Sequence, residues 1–170
     1  HSAYVTDDGR IFLVYHSRFA GGKNGIPEAH EVRVQQLFAN SQGWLVAAPY
    51  EYAGETISST GYTEEEMCGE YEFILHDPVN YYRKYGNEYR GIVQAVHITL
   101  GRDGAVSGDL SGSWDYEKNS PHMSITIEGV TYRGVFLKMP SEQLFDDGNE
   151  RKVVMTFTAL GDNVAVWGSR

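Results

Sequence analysis

The sequence is poor in cysteine and in positive charge. The first shortage excludes a disulfide within the chain, and the second argues against a nucleic-acid partner. Cys68 is the only cysteine, so no disulfide can form within the chain and the redox compartment stays open. The 14 Lys and Arg residues are outnumbered by 23 Asp and Glu, which gives a net charge of -9. Nucleic acid, whose phosphates require a basic face, is therefore not an expected partner.

Long apolar runs and a starting methionine are also missing. No apolar stretch approaches the roughly 20 residues that cross a bilayer, so we expect no membrane as partner. The first residue is His1, with neither Met nor a signal peptide before it. Because residues 2–5 already have the composition of a strand, we expect the chain to be the downstream part of a longer protein.

Several catalytic motifs are absent as well. A zinc-protease motif beginning at His30 would need a second His at position 34, which is Val34. Gly108 and Gly112 have the wrong spacing for a serine-hydrolase elbow, and no glycine loop suited to phosphate occurs. The many Asp and Glu residues do not single out a pair for glycoside hydrolysis. We therefore predict no catalytic residue from these patterns.

What the sequence does contain indicates β-structure: 19 Gly, 12 Tyr and 13% aromatic residues. Residues 30–50 are central. Their first part alternates with a period of two, residues 40–43 form a polar turn, and the apolar run 44–48 predicts a strand buried on both sides. Pro49 ends it.

Residues 1–52 contain four predicted strands. Strands at 2–6 and 10–19, joined by the turn 7–9, precede the two strands of residues 30–50, and 20–29 form a loop. Such an antiparallel meander has the size of one propeller blade, and one blade cannot bury both of its faces alone. We predict an incomplete propeller domain over 1–52 and a Gly/Ser-rich linker over 53–62.

Residues 63–170 predict a second domain, a closed β-barrel or a sandwich. Thr63 and Glu66 have capping-box spacing and predict one helical turn. Glu128-Gly129 and Asp162-Asn163 predict two-residue hairpin turns. An irregular loop is expected at 77–88, and strands are expected at 69–76, 92–100, 106–116, 124–127, 130–137, 153–160 and 164–168.

Six side chains are candidates for function. His1, at the start of an inner strand, is a candidate metal ligand or the remnant of a tag, while His16 and Arg18 could lie on the rim of a cleft or at a solvated edge. Trp44, Trp114 and Trp167 could stack on sugar rings, but each lies in an apolar strand context, which favours core packing. We expect Trp114 and Trp167 to be largely buried.

A series of motifs resembles the bacterial endo-arabinanases of glycoside hydrolase family 43. The first half matches the last propeller blade of these enzymes and the second half their C-terminal domain. The motifs occur in one order along nearly the whole chain, at residues 2–4, 12–19, 30–37, 40–44, 48–55, 69–73, 112–114, 132–136 and 165–169.

The resemblance implies a five-bladed β-propeller that hydrolyses α-1,5-linked arabinan with inversion. The family's Asp base, pKa-tuning Asp and Glu acid lie in earlier blades, so no catalytic role transfers to this chain. The family also has a His near the propeller axis that binds calcium or a similar ion such as sodium. That His corresponds to His1, although the family usually has one more residue before its Ser-Ala pair.

Three functions follow as alternatives. The first is the C-terminal part of an arabinan endo-1,5-α-L-arabinosidase, secreted or held in the periplasm or at the cell surface. Its partners would be the N-terminal propeller portion, as a separate chain, and arabinan or arabino-oligosaccharides. The second is a non-catalytic carbohydrate-binding β-domain. The third, a lipocalin-like carrier of an apolar ligand, has only the barrel in its favour.

Overall fold

The computed structural model describes residues 1–18, 30–76, 94–142 and 151–170, which are almost entirely β-strand and connecting turns. The all-β prediction is confirmed. Four strands form an antiparallel sheet in chain order: β1 (Ser2–Val5), β2 (Ile11–Arg18), β3 (His30–Ala39) and β4 (Leu45–Ala47). The predicted loops at 20–29 and 77–88 lie outside the described residues.

Two turns hold the sheet's first and last hairpins. The Thr6 N–H donates to the Arg10 carbonyl at 2.9 Å across the first turn. In the second turn the buried Asn40 carboxamide oxygen accepts hydrogen bonds from the Gln42 and Trp44 N–H groups, both at 3.0 Å. An Asn side chain that replaces backbone pairing in this way favours a turn over a continuing strand.

The prediction that residues 44–48 form a strand buried on both sides is wrong. Strand β4 is only three residues long, and Trp44 and Leu45 are exposed, whereas Val46 and Ala48 are buried. The reason is that β4 lies at an edge of the sheet and packs with one face only. Alternate side chains therefore point to solvent.

The other eight strands close into a barrel, which confirms the second predicted domain type. The strands are β5 (Gly69–His76), β6 (Val96–Leu100), β7 (Ala105–Gly108), β8 (Gly112–Tyr116), β9 (His122–Ile127), β10 (Val130–Pro140), β11 (Val153–Gly161) and β12 (Val164–Ser169). Around the barrel they follow the order β10-β11-β12-β5-β6-β7-β8-β9, with antiparallel neighbours throughout.

Turn chemistry explains where several strands end. Glu128, Gly129, Asp162 and Asn163 have φ values of 50°, 82°, 49° and 59°, the left-handed conformation of tight hairpin turns, which confirms both predicted turns. The single strand predicted over 106–116 is wrong, because the chain leaves β7 at Gly108, whose φ is 110°. A new strand, β8, begins at Gly112.

The barrel interior is filled by side chains. Tyr71, Phe73, Phe136 and Phe157 are essentially unexposed, and the Phe157 ring centroid lies 5.3 Å from that of Tyr71 and 5.9 Å from that of Phe136. Gly168 is required beside this cluster, because a Cβ there would lie 2.1 Å from the Phe157 ring. Eight-stranded barrels are narrow enough to be packed in this way. The interior therefore does not favour the carrier function.

The sheet packs against the outside of the barrel on β10. Phe136 points into the barrel, whereas Val135, Leu137 and Met139 point outward and form a second buried cluster with Phe38 and Val46 of the sheet. Strand β10 is thus buried on both faces, which accounts for its nearly continuous apolar sequence. This contact sets the position of the sheet against the barrel wall.

A short helix, α1 (Glu64–Met67), precedes the barrel, as the capping-box spacing predicts. The Thr63 hydroxyl accepts from the Glu66 N–H, and the Glu66 carboxylate accepts from the Thr63 N–H at 2.7 Å. Lys138 of β10 donates to the same carboxylate at 2.5 Å. No helix in the described part of the chain is long and apolar enough to cross a bilayer.

Candidate functional site

Three imidazoles form a row at one end of the sheet. The ring centroids of His1 and His16 are 5.9 Å apart with nearly parallel planes, and those of His16 and His30 are 5.3 Å apart. All three side chains are exposed. The register of β2 and β3 pairs the backbone of Arg18 with that of His30. The structure therefore brings the predicted residues His1 and His16 together and adds His30, which the sequence analysis had considered only for a protease motif.

The row of imidazoles does not by itself make a metal centre. Among the described residues, no group of three or more His, Cys, Asp or Glu side chains is arranged to hold an ion. Calcium prefers several oxygen ligands, and His1 supplies only nitrogen. The residues described here therefore do not complete a calcium site, and the ion at His1 remains a prediction.

A cleft of about 300 Å³ lies between the sheet and the barrel. Its sheet side includes Tyr15 and Gln35, and its barrel side includes Ile74 and Trp167. Tyr50, in the segment after β4, closes one part of the wall, where its hydroxyl donates to the Ser169 hydroxyl oxygen at 2.8 Å. Aromatic side chains with polar tips line a concave surface here, an arrangement typical of small-molecule sites.

One guanidinium organises the polar part of the cleft. Arg33 bonds to the carboxylates of Glu31 and Glu142, and Glu51 lies 3.8 Å from its Nε. Glu142 also accepts from the Glu51 N–H at 2.7 Å, so it ties the sheet to the end of β10. The surrounding carboxylates, first of all Glu31, which accepts a hydrogen bond from the guanidinium, raise the pKa of Arg33. Its charge is therefore permanent.

One polar group in the cleft wall has no hydrogen-bond partner among the described residues. The indole Nε1–H of Trp167 is buried and lacks an acceptor there. Buried polar groups are nearly always paired, so this indole indicates a missing partner.

The three tryptophans separate into three environments. Trp114 is 6% exposed, as predicted, and its Nε1–H donates to the Gly101 carbonyl at 2.8 Å. Trp167 is only partly buried and lines the cleft, so the expectation of deep burial is met in part. The core-packing interpretation of Trp44 is wrong, because this side chain is 65% exposed on the turn before β4.

The cleft itself was not predicted. Its walls combine residue 15 of β2, residue 35 of β3 and residue 167 of β12, which lie far apart in the sequence. A partial signal was present, because Gln35 is a polar residue in a strand that otherwise packs well. Period-two alternation assigned Gln35 to a face of β3 but did not indicate what covered that face.

Together these features define a class of protein: a packed eight-stranded barrel that carries a four-stranded sheet on one wall, with a cleft between them. Sequence comparison gives the family. The family model described as the GH43_C C-terminal lipocalin-like domain matches residues 49–168. The chain therefore belongs to this family of C-terminal domains of glycoside hydrolase family 43.

Similarity to characterised relatives extends beyond the family model into the sheet. The chain is 38% identical to the extracellular endo-α-(1→5)-L-arabinanase 2 of Bacillus subtilis over 174 aligned residues. The alignment covers 100% of this chain but 32% of that protein. The chain thus spans about a third of the length of the curated relatives it matches.

Solved structures have the same arrangement. The endo-1,5-α-L-arabinanase of Thermotoga petrophila matches 99% of this chain and 34% of its own, with 38% identity and a TM-score of 0.75. A family 43 glycoside hydrolase from Bacillus licheniformis matches 98% of this chain and 34% of its own, with 34% identity and the same TM-score. The full-length proteins that contain these homologous segments are glycoside hydrolases.

Proposed function

We propose that this chain is the C-terminal part of a secreted endo-1,5-α-L-arabinanase, in which its sheet completes a five-bladed β-propeller. The observation that carries the proposal is the exposure of apolar side chains on the sheet. Val5 and Val32 are 61% and 66% exposed, and Tyr4 is also exposed. Strand β1 is also an edge strand within the described sheet. Such a surface requires a neighbouring element, which a preceding blade would supply.

In this proposal the chain carries no catalytic carboxylate and the upstream blades carry all three. The names of the relatives, both described as extracellular arabinanases, support hydrolysis of α-1,5-arabinan outside the cytoplasm. Retention in the periplasm or at the cell surface is a finer form of the same proposal. The partner is the propeller portion of the enzyme, and the substrate is arabinan or arabino-oligosaccharide.

The test is reassembly from two chains. We expect that this chain alone releases no arabino-oligosaccharide from linear arabinan, because general acid and base groups each contribute roughly 10²–10⁴ in rate. The upstream portion alone should be poorly active with one blade missing, and mixing the two should restore hydrolysis. Cleavage by this chain alone, or an upstream portion whose activity the chain does not change, would contradict the proposal.

His1 would face the propeller axis and bind calcium or a similar ion there, with water molecules as the other ligands. The position of His1 just before β1, the strand at the sheet's free edge, supports this assignment. A positive ion near the catalytic carboxylates would favour their ionised forms. The proposed cleft rim, His16 and Arg18, lies at the same end of β2.

Replacing His1 with Ala in the reassembled enzyme is expected to lower hydrolysis and calcium binding while leaving unfolding unchanged. His97→Ala is the matched control, since the His97 side chain is 62% exposed on the barrel. An equal loss of hydrolysis in the two variants, or calcium binding unaffected by His1→Ala, would show that His1 is not a ligand of the ion.

A second function, carbohydrate binding by the barrel and sheet without catalysis, is favoured by one observation. The cleft presents Tyr15, Tyr50 and Trp167, and the buried Nε1–H of Trp167 has no acceptor among the described residues. This function is compatible with the first, because enzymes that act on polymers benefit from binding sites outside the catalytic centre.

A further inference from the structure

We propose that His16 and His30 form a surface site for a divalent transition-metal ion of the Zn²⁺, Ni²⁺ and Cu²⁺ class, with water molecules as the remaining ligands. The site differs from the calcium position proposed at His1 both in its residues and in the class of ion. Its two ligands come from β2 and β3 of this chain, so it does not depend on the proposed function.

The register of the sheet places the two imidazoles on one face. His16 of β2 pairs directly with Val32 of β3, and His30 lies two residues before Val32 in the same strand. Side chains two positions apart in a strand point to the same face, so His16 and His30 are diagonal cross-strand neighbours. The ladder of β2 and β3 fixes both backbones. Once one imidazole has bound an ion, the second is therefore held close to that ion.

The distance between the two rings suits a shared ion. An imidazole nitrogen lies about 2.0–2.1 Å from a bound Zn²⁺, so two rings on one ion have centroids roughly 4.5–6.5 Å apart, depending on the angle at the metal. The centroids of His16 and His30 are 5.3 Å apart, and their planes are inclined at 30°. The His1 ring is stacked on the His16 ring at only 12°. Because the lone pairs lie in the ring planes, this stacked pair is less suited to converge on one ion.

Both rings are accessible to an ion from solvent. His16 and His30 are exposed, and neither imidazole is hydrogen-bonded to another residue within the ranges that the structure describes. Val32, which lies opposite His16 on β3, is 66% exposed and has no polar group in its side chain that could compete for either ring. A neutral imidazole whose acceptor nitrogen is unoccupied is a metal ligand.

The chemistry of the ligands selects the class of ion. Imidazole nitrogen suits Zn²⁺, Ni²⁺ and Cu²⁺, whereas Ca²⁺ and Mg²⁺ prefer oxygen. Glu31, next to His30 in β3, points to the opposite face and accepts a hydrogen bond from Arg33 at 2.7 Å. No group of three or more metal-binding side chains is arranged around an ion in the described part of the chain. The site thus has two protein ligands and is exchangeable, unlike structural zinc sites, which have four.

The experiment is calorimetric titration of the 170-residue chain with zinc chloride. His16→Ala and His30→Ala each remove one ligand and should weaken Zn²⁺ binding about tenfold or more. His97→Ala is the matched control, because it removes an imidazole that is 62% exposed on the barrel. His1→Ala tests independence from the proposed calcium position. Both of these variants should change the Zn²⁺ affinity less than about twofold. All four side chains are exposed, so we expect the variants to fold, which circular dichroism checks.

The identity of the ion gives a second measurement. Affinity should rise in the order Mn²⁺, Co²⁺, Ni²⁺, Cu²⁺, and excess Ca²⁺ should not displace Zn²⁺. The proposal is overturned by an unmodified chain that binds no Zn²⁺, by unchanged affinity in either His16→Ala or His30→Ala, by an equal loss in His1→Ala or His97→Ala, or by displacement with Ca²⁺. Reassembly on arabinan is a separate test, so a chain that restores hydrolysis without binding Zn²⁺ contradicts only the metal site.

Discussion

Trp114 is the tryptophan on which barrel stability depends most directly. It is 6% exposed, its ring stacks near Tyr116 with centroids 5.7 Å apart, and its Nε1–H is paired with the Gly101 carbonyl. Both the apolar area and the polar tip of the side chain are therefore satisfied inside the protein. Trp44 offers the opposite case, an indole whose surface is mostly in water.

We expect Trp114→Ala to lower the free energy of unfolding by roughly 3–5 kcal/mol, because it removes a buried aromatic ring and leaves a cavity. Trp44→Ala should change it by less than about 0.5 kcal/mol, as is usual for exposed positions. Urea unfolding followed by circular dichroism gives both values. Equal effects would mean that the two environments are assigned incorrectly.

Cys68 is also explained at the scale of the residue. It packs against the barrel core, and burial raises the pKa of its thiol. A thiol with a raised pKa is mostly protonated at neutral pH and is a poor nucleophile. Cys68 is therefore a small packed residue at the margin of the barrel core.

At the scale of the element, helix α1 is stabilised by a short network of hydrogen bonds to the Glu66 carboxylate. The hydrogen bond from Lys138, then those from Thr63, stabilise the charged Glu66 carboxylate and lower its pKa from 4.5 to about 2. Because the folded pKa is the lower one, the stabilisation is fully present above the ordinary pKa. It is lost as the pH falls from about 4.5 towards 2.

Thr63→Ala is expected to lower the free energy of unfolding by about 0.5–2 kcal/mol through loss of the N-cap. Glu66→Gln should lower it at pH 7, and the difference from the unmodified chain should shrink between about pH 4.5 and pH 2. Thermal unfolding at a series of pH values measures both effects. A difference that stays constant down to pH 2 would show that the Glu66 charge does not contribute.

Strand β10 shows how an element can serve two cores. Its inward side chains belong to the barrel interior, and its outward side chains Val135, Leu137 and Met139 belong to the cluster shared with the sheet. Asn40 adds a polar contact, since its amide donates to the Arg133 carbonyl at 3.1 Å. The sheet therefore depends on β10 for much of its burial.

At the scale of the whole molecule, the barrel and the sheet differ in how far each can stand alone. A closed barrel has no open edges and encloses its own core. The sheet has four strands, an edge at β1 and exposed apolar residues, so it has to pack against something else.

We therefore expect residues 53–170 to fold as a separate fragment and residues 1–52 to remain unfolded. The larger fragment should keep its β-sheet circular dichroism but bind a hydrophobic dye, because removal of the sheet exposes the outward face of β10. The full chain is the control and should bind less dye. Cooperative unfolding of the 1–52 fragment, or a 53–170 fragment without structure, would contradict this division.

The local sequence was sufficient for those parts of the fold that depend on neighbours in the chain. Period-two alternation predicted most strands, and the pairs Glu128-Gly129 and Asp162-Asn163 predicted turns that the structure confirms. The capping box at Thr63 and Glu66 was predicted from spacing alone. Each of these signals arises from residues within a few positions of each other, which is why sequence patterns contain them.

Features that depend on distant residues were decided only by the tertiary structure. Trp44 and Trp167 have similar apolar neighbours in sequence, yet one is exposed at the edge of a sheet and the other lines a cleft. The break of residues 106–116 into two strands was likewise missed. The cleft exists because barrel closure places β12 beside β5 and because β10 receives the sheet on its outer face. Burial depends on which surfaces meet, and no local period records the surface that will cover a given face.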